Sequence, residues 1–155
     1  MKGTQPRTRR KTCDWPGDDP LLMRYHDEEW GVPVRNDKKI FEFLTLESAQ
    51  AGLSWKTILR KRAGYKKLFA DFDPEKVARF DKKRVAKLLK DPAIIRNRLK
   101  IEAAVNNARR FLEAQREFGN FSEYMWGFVG GRPIDGKRKN LKEELLSQHV
   151  FQLII

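Results

Sequence analysis

The stretch Asp37–Trp55, DKKIFEFLTLESAQAGLSW, carries the signals around which the rest of the chain is organised. Asn36 or Asp37 can cap a helix that runs to about Gln50, and Gly52 supplies a stop. Ile40, Leu44 and Ala51 fall on one side at helical spacing, with Glu47 near the middle of that stripe. A carboxylate buried on an apolar face costs several kcal/mol unless it meets a cation, meets donors or takes up a proton. Glu47 is therefore either paired with a nearby Arg or Lys, or held at the floor of a pocket to meet a ligand. The period alone does not choose. Ser54 and Trp55 open the next helix and set a large flat aromatic beside that floor.

Upstream, order is expected to begin at Cys13-Asp14-Trp15, followed by the turn signal Pro16-Gly17-Asp18-Asp19-Pro20. Leu21 to Glu29 can form a short helix presenting Tyr25 and His26, and Trp30-Gly31-Val32-Pro33 ends it. Aromatics this dense in a mostly polar segment either pack on the next helix or line a flat pocket. Residues 1–12, MKGTQPRTRRKT, read as a flexible basic arm.

Downstream of Trp55 the pattern is helical almost without interruption. Ile58 and Leu59 mark one helix, and Tyr65, Leu68 and Phe69 mark the end of another. Asp73-Pro74 is an N-cap with proline at the first helical position, and that helix carries Val77 and Phe80. Asp81 caps a further helix with Val85, Leu88 and Leu89. A longer one runs from about Arg98 to Phe118, with Ile101, Ala104, Val105, Ala108, Phe111 and Phe118 inward, and Gly119 closes it. Phe121, Tyr124, Met125 and Phe128 suggest one more before Gly130-Gly131. With no alternating strand pattern and no repeat, the expected class is all-α.

At 155 residues, with 40% hydrophobic and 11% aromatic content, the chain suits one folded domain. Its formal net charge of +12 points to a polyanionic partner, nucleic acid before membrane, against the alternative of a merely solvated basic surface. One cysteine excludes an internal disulfide and fits a reducing cytoplasm. There is no apolar run of spanning length and no signal-type segment, so a soluble, intracellular protein is expected, with monomer as the default state.

Residues 91–101, DPAIIRNRLKI, join two helices by so short a link that they must fold back on each other. Arg96, Arg98 and Lys100 lie at this junction, while Ile94, Ile95, Leu99 and Ile101 can anchor it in the core. Helix-opening amides favour an anion, so the tip is a candidate phosphate clamp. An ordinary helical corner with solvated cations fits the segment alone equally well.

Four motifs occur together and in order. They are Cys13-x-Trp15, Tyr25-His26-Asp27-x-Glu29-Trp30-Gly31-Val32-Pro33, Leu46-Glu47-x-x-Gln50-Ala51-Gly52-Leu53-Ser54-Trp55, and Ile94-Ile95-Arg96-Asn97-Arg98-x-Lys100-Ile101. Over about Cys13 to Val129 the chain closely resembles DNA-3-methyladenine glycosylase I, a helix–hairpin–helix DNA glycosylase family. The resemblance implies one helical domain over 13–129 with a helix–hairpin–helix element that binds double-stranded DNA containing alkylated adenine. It implies a monofunctional hydrolase that flips out 3-methyladenine and excises it. In that mapping Glu47 is the catalytic-site carboxylate that hydrogen-bonds the base. Tyr25 and Trp55 stack on the base, Trp15 and Trp30 shape the pocket, and Arg96, Asn97, Arg98 and Lys100 hold the DNA backbone.

The family's structural zinc implies Cys13 and His26 as ligands, with a further His and Cys near the family's C-terminus. Residues 130–155, closing in LKEELLSQHVFQLII, do not resemble that ending, and His149-x-x-x-Leu153 has only the spacing of a ligand pair. The zinc set is thus incomplete, and a truncated relative that acts only as a basic helical DNA-binding module is the alternative expectation. Two further departures are Leu22, where the family often has tyrosine, and Ala93 and Leu99, where hairpin tips favour glycine.

Overall fold

The computed structural model describes residues 15–134. The basic arm, Cys13 and His149 lie outside these residues, as does the tail from 135. Among the described residues there are seven α-helices and no strand, so the class is all-α. The helices are α1 (Pro20–Glu28), α2 (Asp37–Gln50), α3 (Trp55–Leu68), α4 (Pro74–Ala78), α5 (Lys82–Leu88), α6 (Arg98–Phe118) and α7 (Phe121–Gly127). The chain divides into two compact units, Met1–Met125 and Trp126–Ile155. In the second, the end of α7 leads into a turn in which Gly130 and Gly131 take positive φ.

Each helix opens on an Asp, Asn or Ser whose side chain accepts a first-turn amide. These are Asp19, Asn36, Ser54, Asp73, Asp81, Asn97 and Asn120 in chain order. Such caps contribute about 1 kcal/mol each and fix where a helix begins. The core of the first unit forms where α2, α3 and α6 meet. Phe41, Leu46, Ile58, Tyr65, Phe69, Leu88, Ala108 and Phe111 are fully buried there, and Phe41 meets Phe111 edge-on at 5.2 Å. Asp37 closes this unit by accepting from Gln115 Nε2, Phe121 N and Ser122 N at 2.6, 2.8 and 2.8 Å.

Three expectations change, and one feature is added. The buried stripe of α2 is Ile40, Phe41, Thr45, Leu46 and Ala49, with Leu44 at its edge, while Ala51 and Glu47 are exposed. Phe41 and Leu46 carry far more apolar area than Ala51 and rotate that side inward. Glu47 instead shares a helix face with Phe43, one turn earlier. Second, the residues after Trp55 form one helix, α3, not two. Third, Leu99 and Phe118 point outward, 76% and 43% exposed, whereas Ile94 and Ile101 are buried as expected. In addition, α3 is followed by a left-handed turn, with φ of 53°, 58° and 55° at Ala70, Asp71 and Phe72. Left-handed backbone costs about 1–2 kcal/mol per residue. Burial of Phe69 and Phe72 and pairing of Asp71 with Lys38 and Lys66 offset it.

The segment linking α5 to α6 is seated on α3. Lys61 Nζ donates to Pro92 O at 2.6 Å, and Ile95 N donates to Tyr65 Oη at 3.3 Å. Between them Gly64 lies against the Ala93 backbone, where an added Cβ would stand 2.2 Å from the Ala93 carbonyl oxygen. Gly64→Ala is therefore expected to destabilise the protein by about 3 kcal/mol, read as a lowered urea midpoint, although alanine is the better helix former.

Candidate active site

Tyr25 on α1 packs against Trp55, the first residue of α3, with ring centroids 5.3 Å apart and planes at 60°. Tyr25 also meets Phe43 at 6.5 Å. Glu47, on the Phe43 face of α2, is near enough for its charge to act on the Tyr25 hydroxyl. Burial first, then Glu47 and Glu29, push that hydroxyl up to about 12, so Tyr25 stays a neutral phenol. Glu47 is open to solvent along one side, yet enclosed enough that loss of hydration raises its carboxyl above the usual range. No hydrogen bond or ion pair with a described residue holds it. Of the two roles open to Glu47 in the sequence, pairing with an Arg or Lys is not seen among the described residues.

The aromatic residues expected to line one pocket form two groups. Tyr25 and Trp55 belong to the first. Trp15, His26 and Trp30 form a second, partly exposed stack, with Trp15–Trp30 at 6.1 Å and His26–Trp30 at 5.3 Å, each pair inclined by 17°. Neighbouring residues on a helix diverge by 100°, which sends Tyr25 and His26 to different sides of α1. Tyr25 and Trp55 are also in direct contact. A base between parallel rings would need them roughly 7 Å apart, two carbon contacts of 3.5 Å. No slot for a base separates these two rings, and Glu47, near Tyr25, is exposed.

His26 Nδ1 lies 3.0 Å from Asp27 Oδ1. No group of three or more His, Cys, Asp or Glu that could hold a metal ion occurs among the described residues, and Cys13 and His149 lie outside them. The described residues do not by themselves make a zinc site.

A charged network that the sequence did not reveal fixes α1 to α2 and α3. Arg62 donates to both carboxylate oxygens of Glu29 at 2.7 Å and through Nε to Glu42 at 2.6 Å. Lys39 bridges the same acids at 3.0 and 2.9 Å. Two cations against two carboxylates, partly buried, hold the C-cap of α1 in place between Tyr25 and Trp30. Arg62 is the main reason that Glu29 is lowered to about 2, and Glu29 in turn raises Arg62. The partners come from separate helices, so no local spacing announces them.

At the α5–α6 junction, Arg96 and Arg98 are exposed, Arg98 lying 3.4 Å from Glu102. Asn97 Oδ1 accepts from Lys100 N at 3.2 Å and caps α6. Lys100 departs from expectation, because its Nζ donates to Ala49 O at 2.7 Å and Ala51 O at 2.6 Å. Its charge meets the carbonyl end of α2 rather than solvent.

Fold and site define an all-helical protein in which a carboxylate with no partner among the described residues stands near an aromatic cluster, with a basic helical junction. The chain matches the methyladenine glycosylase family over residues 15–151 and belongs to it. It is 46% identical to DNA-3-methyladenine glycosylase 1 of Escherichia coli (strain K12) over 131 residues, 84% of this chain and 70% of that protein. With DNA-3-methyladenine glycosylase of Haemophilus influenzae it shares 41% identity over 122 residues, 79% of this chain and 66% of that one. A crystal structure of a single-residue variant of 3-methyladenine DNA glycosylase I in complex with 3-methyladenine superposes with a TM-score of 0.82 at 39% identity. That superposition covers 84% of this chain and 70% of the other.

The depressed Glu29 carboxyl gives an expected pH dependence. Its stabilising contribution is present above the ordinary 4.5 and is lost as pH falls toward about 2. Urea midpoints should therefore decline below pH 4.5 more steeply in the native protein than in Glu29→Gln. Arg62→Met, which leaves Lys39 alone among the described cations of this network to face Glu29 and Glu42, should cost about 2 kcal/mol at neutral pH.

Proposed function

We propose that this protein is a monofunctional DNA N-glycosylase that extrudes 3-methyladenine from alkylated duplex DNA and hydrolyses its bond to deoxyribose. The observation that carries this reading is Glu47, a carboxylate with raised pKa and no cationic partner among the described residues, near Tyr25 and its neighbour Trp55. Adenine alkylated at N3 in DNA is cationic, so electron-rich rings attract it and a carboxylate complements its charge and donors. A cationic base is already a good leaving group. Recognition, extrusion and a positioned water then matter more than strong acid catalysis.

In this reading Glu47 binds the base and orients the attacking water. The base lies against the open side of the Tyr25–Trp55 pair, with Trp15 and Trp30 bordering the cleft. Arg96 and Arg98 grip phosphates at a helix–hairpin–helix element, aided by the amides that open α6. The activity would be that of the first step of base excision repair, in the compartment that holds the DNA. No helix among the described residues is long and apolar enough to cross a membrane. If the family's zinc is bound, His26 and Cys13 supply ligands to it, and no step of the reaction passes through it.

Release of free 3-methyladenine from methylated duplex DNA tests this function. Glu47→Gln should lower excision roughly 100-fold while leaving affinity for undamaged DNA nearly intact. The native rate should fall on acidification through the raised Glu47 pKa, because only the carboxylate attracts the cation. Equal rates in the two proteins would remove Glu47 from the site. Separately, Arg96→Ala and Arg98→Ala should each reduce the salt slope of DNA binding by about one.

A further inference from the structure

We propose that Lys100 is a positioning residue that couples the DNA-facing junction to the base-reading turn; this rests on the function proposed above. Its place beside Arg96 and Arg98 would make it a third phosphate contact, but its ammonium is spent inside the protein. Ala49 O and Ala51 O, its two acceptors, belong to the last turn and C-cap of α2, a helix with no basic residue in its own last turn. Without Lys100 those carbonyls would lack a cation at the negative end of the helix dipole.

The segment held in this way separates Glu47 from Trp55. Gly52 turns the chain at φ 76°, Leu53 N returns to Gln50 O at 2.6 Å, and Ser54 caps α3 through Thr57 N at 3.2 Å. Trp55 follows as the first helical residue. Lys100 is meanwhile bonded at its other end, where its amide donates to Asn97 Oδ1 in the cap of α6. One residue thus joins the cap between Arg96 and Arg98 to the turn that sets the spacing of carboxylate and indole. A phosphate backbone that loads those arginines also fixes that turn.

The test uses the full chain and the variants Lys100→Met and Lys100→Arg, with native protein alongside. Arginine can replace the contact, since Arg84 and Arg109 already donate to Leu68 O and Ala78 O at the ends of α3 and α4. Lys100→Met should speed hydrogen exchange at the Leu53 and Thr57 amides roughly tenfold while amides in the middle of α6 keep their protection. It should also weaken binding of free 3-methyladenine and lower kcat by about tenfold, with the salt slope for undamaged DNA unchanged and Lys100→Arg restoring all three. A slope reduced by about one with base binding intact would make Lys100 a phosphate ligand and overturn the proposal. So would unchanged exchange at Leu53 and Thr57. A native protein that neither binds nor releases 3-methyladenine would instead refute the proposed function, and the exchange rates would still judge the role of Lys100.

Discussion

A helix that stops within a folded domain leaves carbonyls that no later turn can satisfy, and this chain meets several of them with cations from other helices. Lys100 serves α2, Arg84 serves α3 and Arg109 serves α4, at distances of 2.5 to 3.1 Å. The arrangement stabilises each helix end and, because each donor is remote in sequence, fixes how the helices are joined. Part of the formal charge of +12 is therefore consumed in building the fold. What remains on the surface, at Arg96 and Arg98 among others, is available to a polyanion.

The opposite ends of the helices were open to inspection in the sequence, for a simple reason. An N-cap acts within three residues of itself, so Asn36, Ser54, Asp73 and Asp81 could be recognised where they stand, and α6 begins and ends where its period says it should. Features that depend on distant partners were not legible. The inward side of α2 is decided by Phe41 meeting Phe111, seventy positions away. The left-handed turn at Ala70–Phe72 is held chiefly by burial of Phe69 and Phe72 in the same core, with lysines of α2 and α3 beside Asp71. Leu99 has the composition of a core residue, yet its helix buries Ile101 and leaves Leu99 in solvent.

The candidate site divides along the same line. Glu47 and Trp55 could be singled out because a carboxylate amid apolar positions, followed by a large aromatic, stands out in one short window. The family resemblance gives Tyr25 its role, and the fold sets Tyr25 against Trp55. The surroundings of Glu47 could not be read locally. Arg62, whose charge also reaches Tyr25, is held by Glu29 and Glu42. Arg62 draws Glu29 down while burial raises Glu47, so two acids near Tyr25 hold their protons very differently. Distinct environments for neighbouring carboxyls are how a fold assigns distinct tasks to one residue type.

The contact between Gly64 and the Ala93 backbone has a consequence for how such a chain can diverge. Every replacement open to a glycine introduces a Cβ, so no amino acid is neutral at this position while the loop keeps its seat on α3. A change there becomes admissible only after other substitutions have lifted residues 91–97, which would also carry Arg96 away from its place. Variation at position 64 is thus contingent on order, and a lineage that retains the basic junction is bound to keep the glycine beneath it.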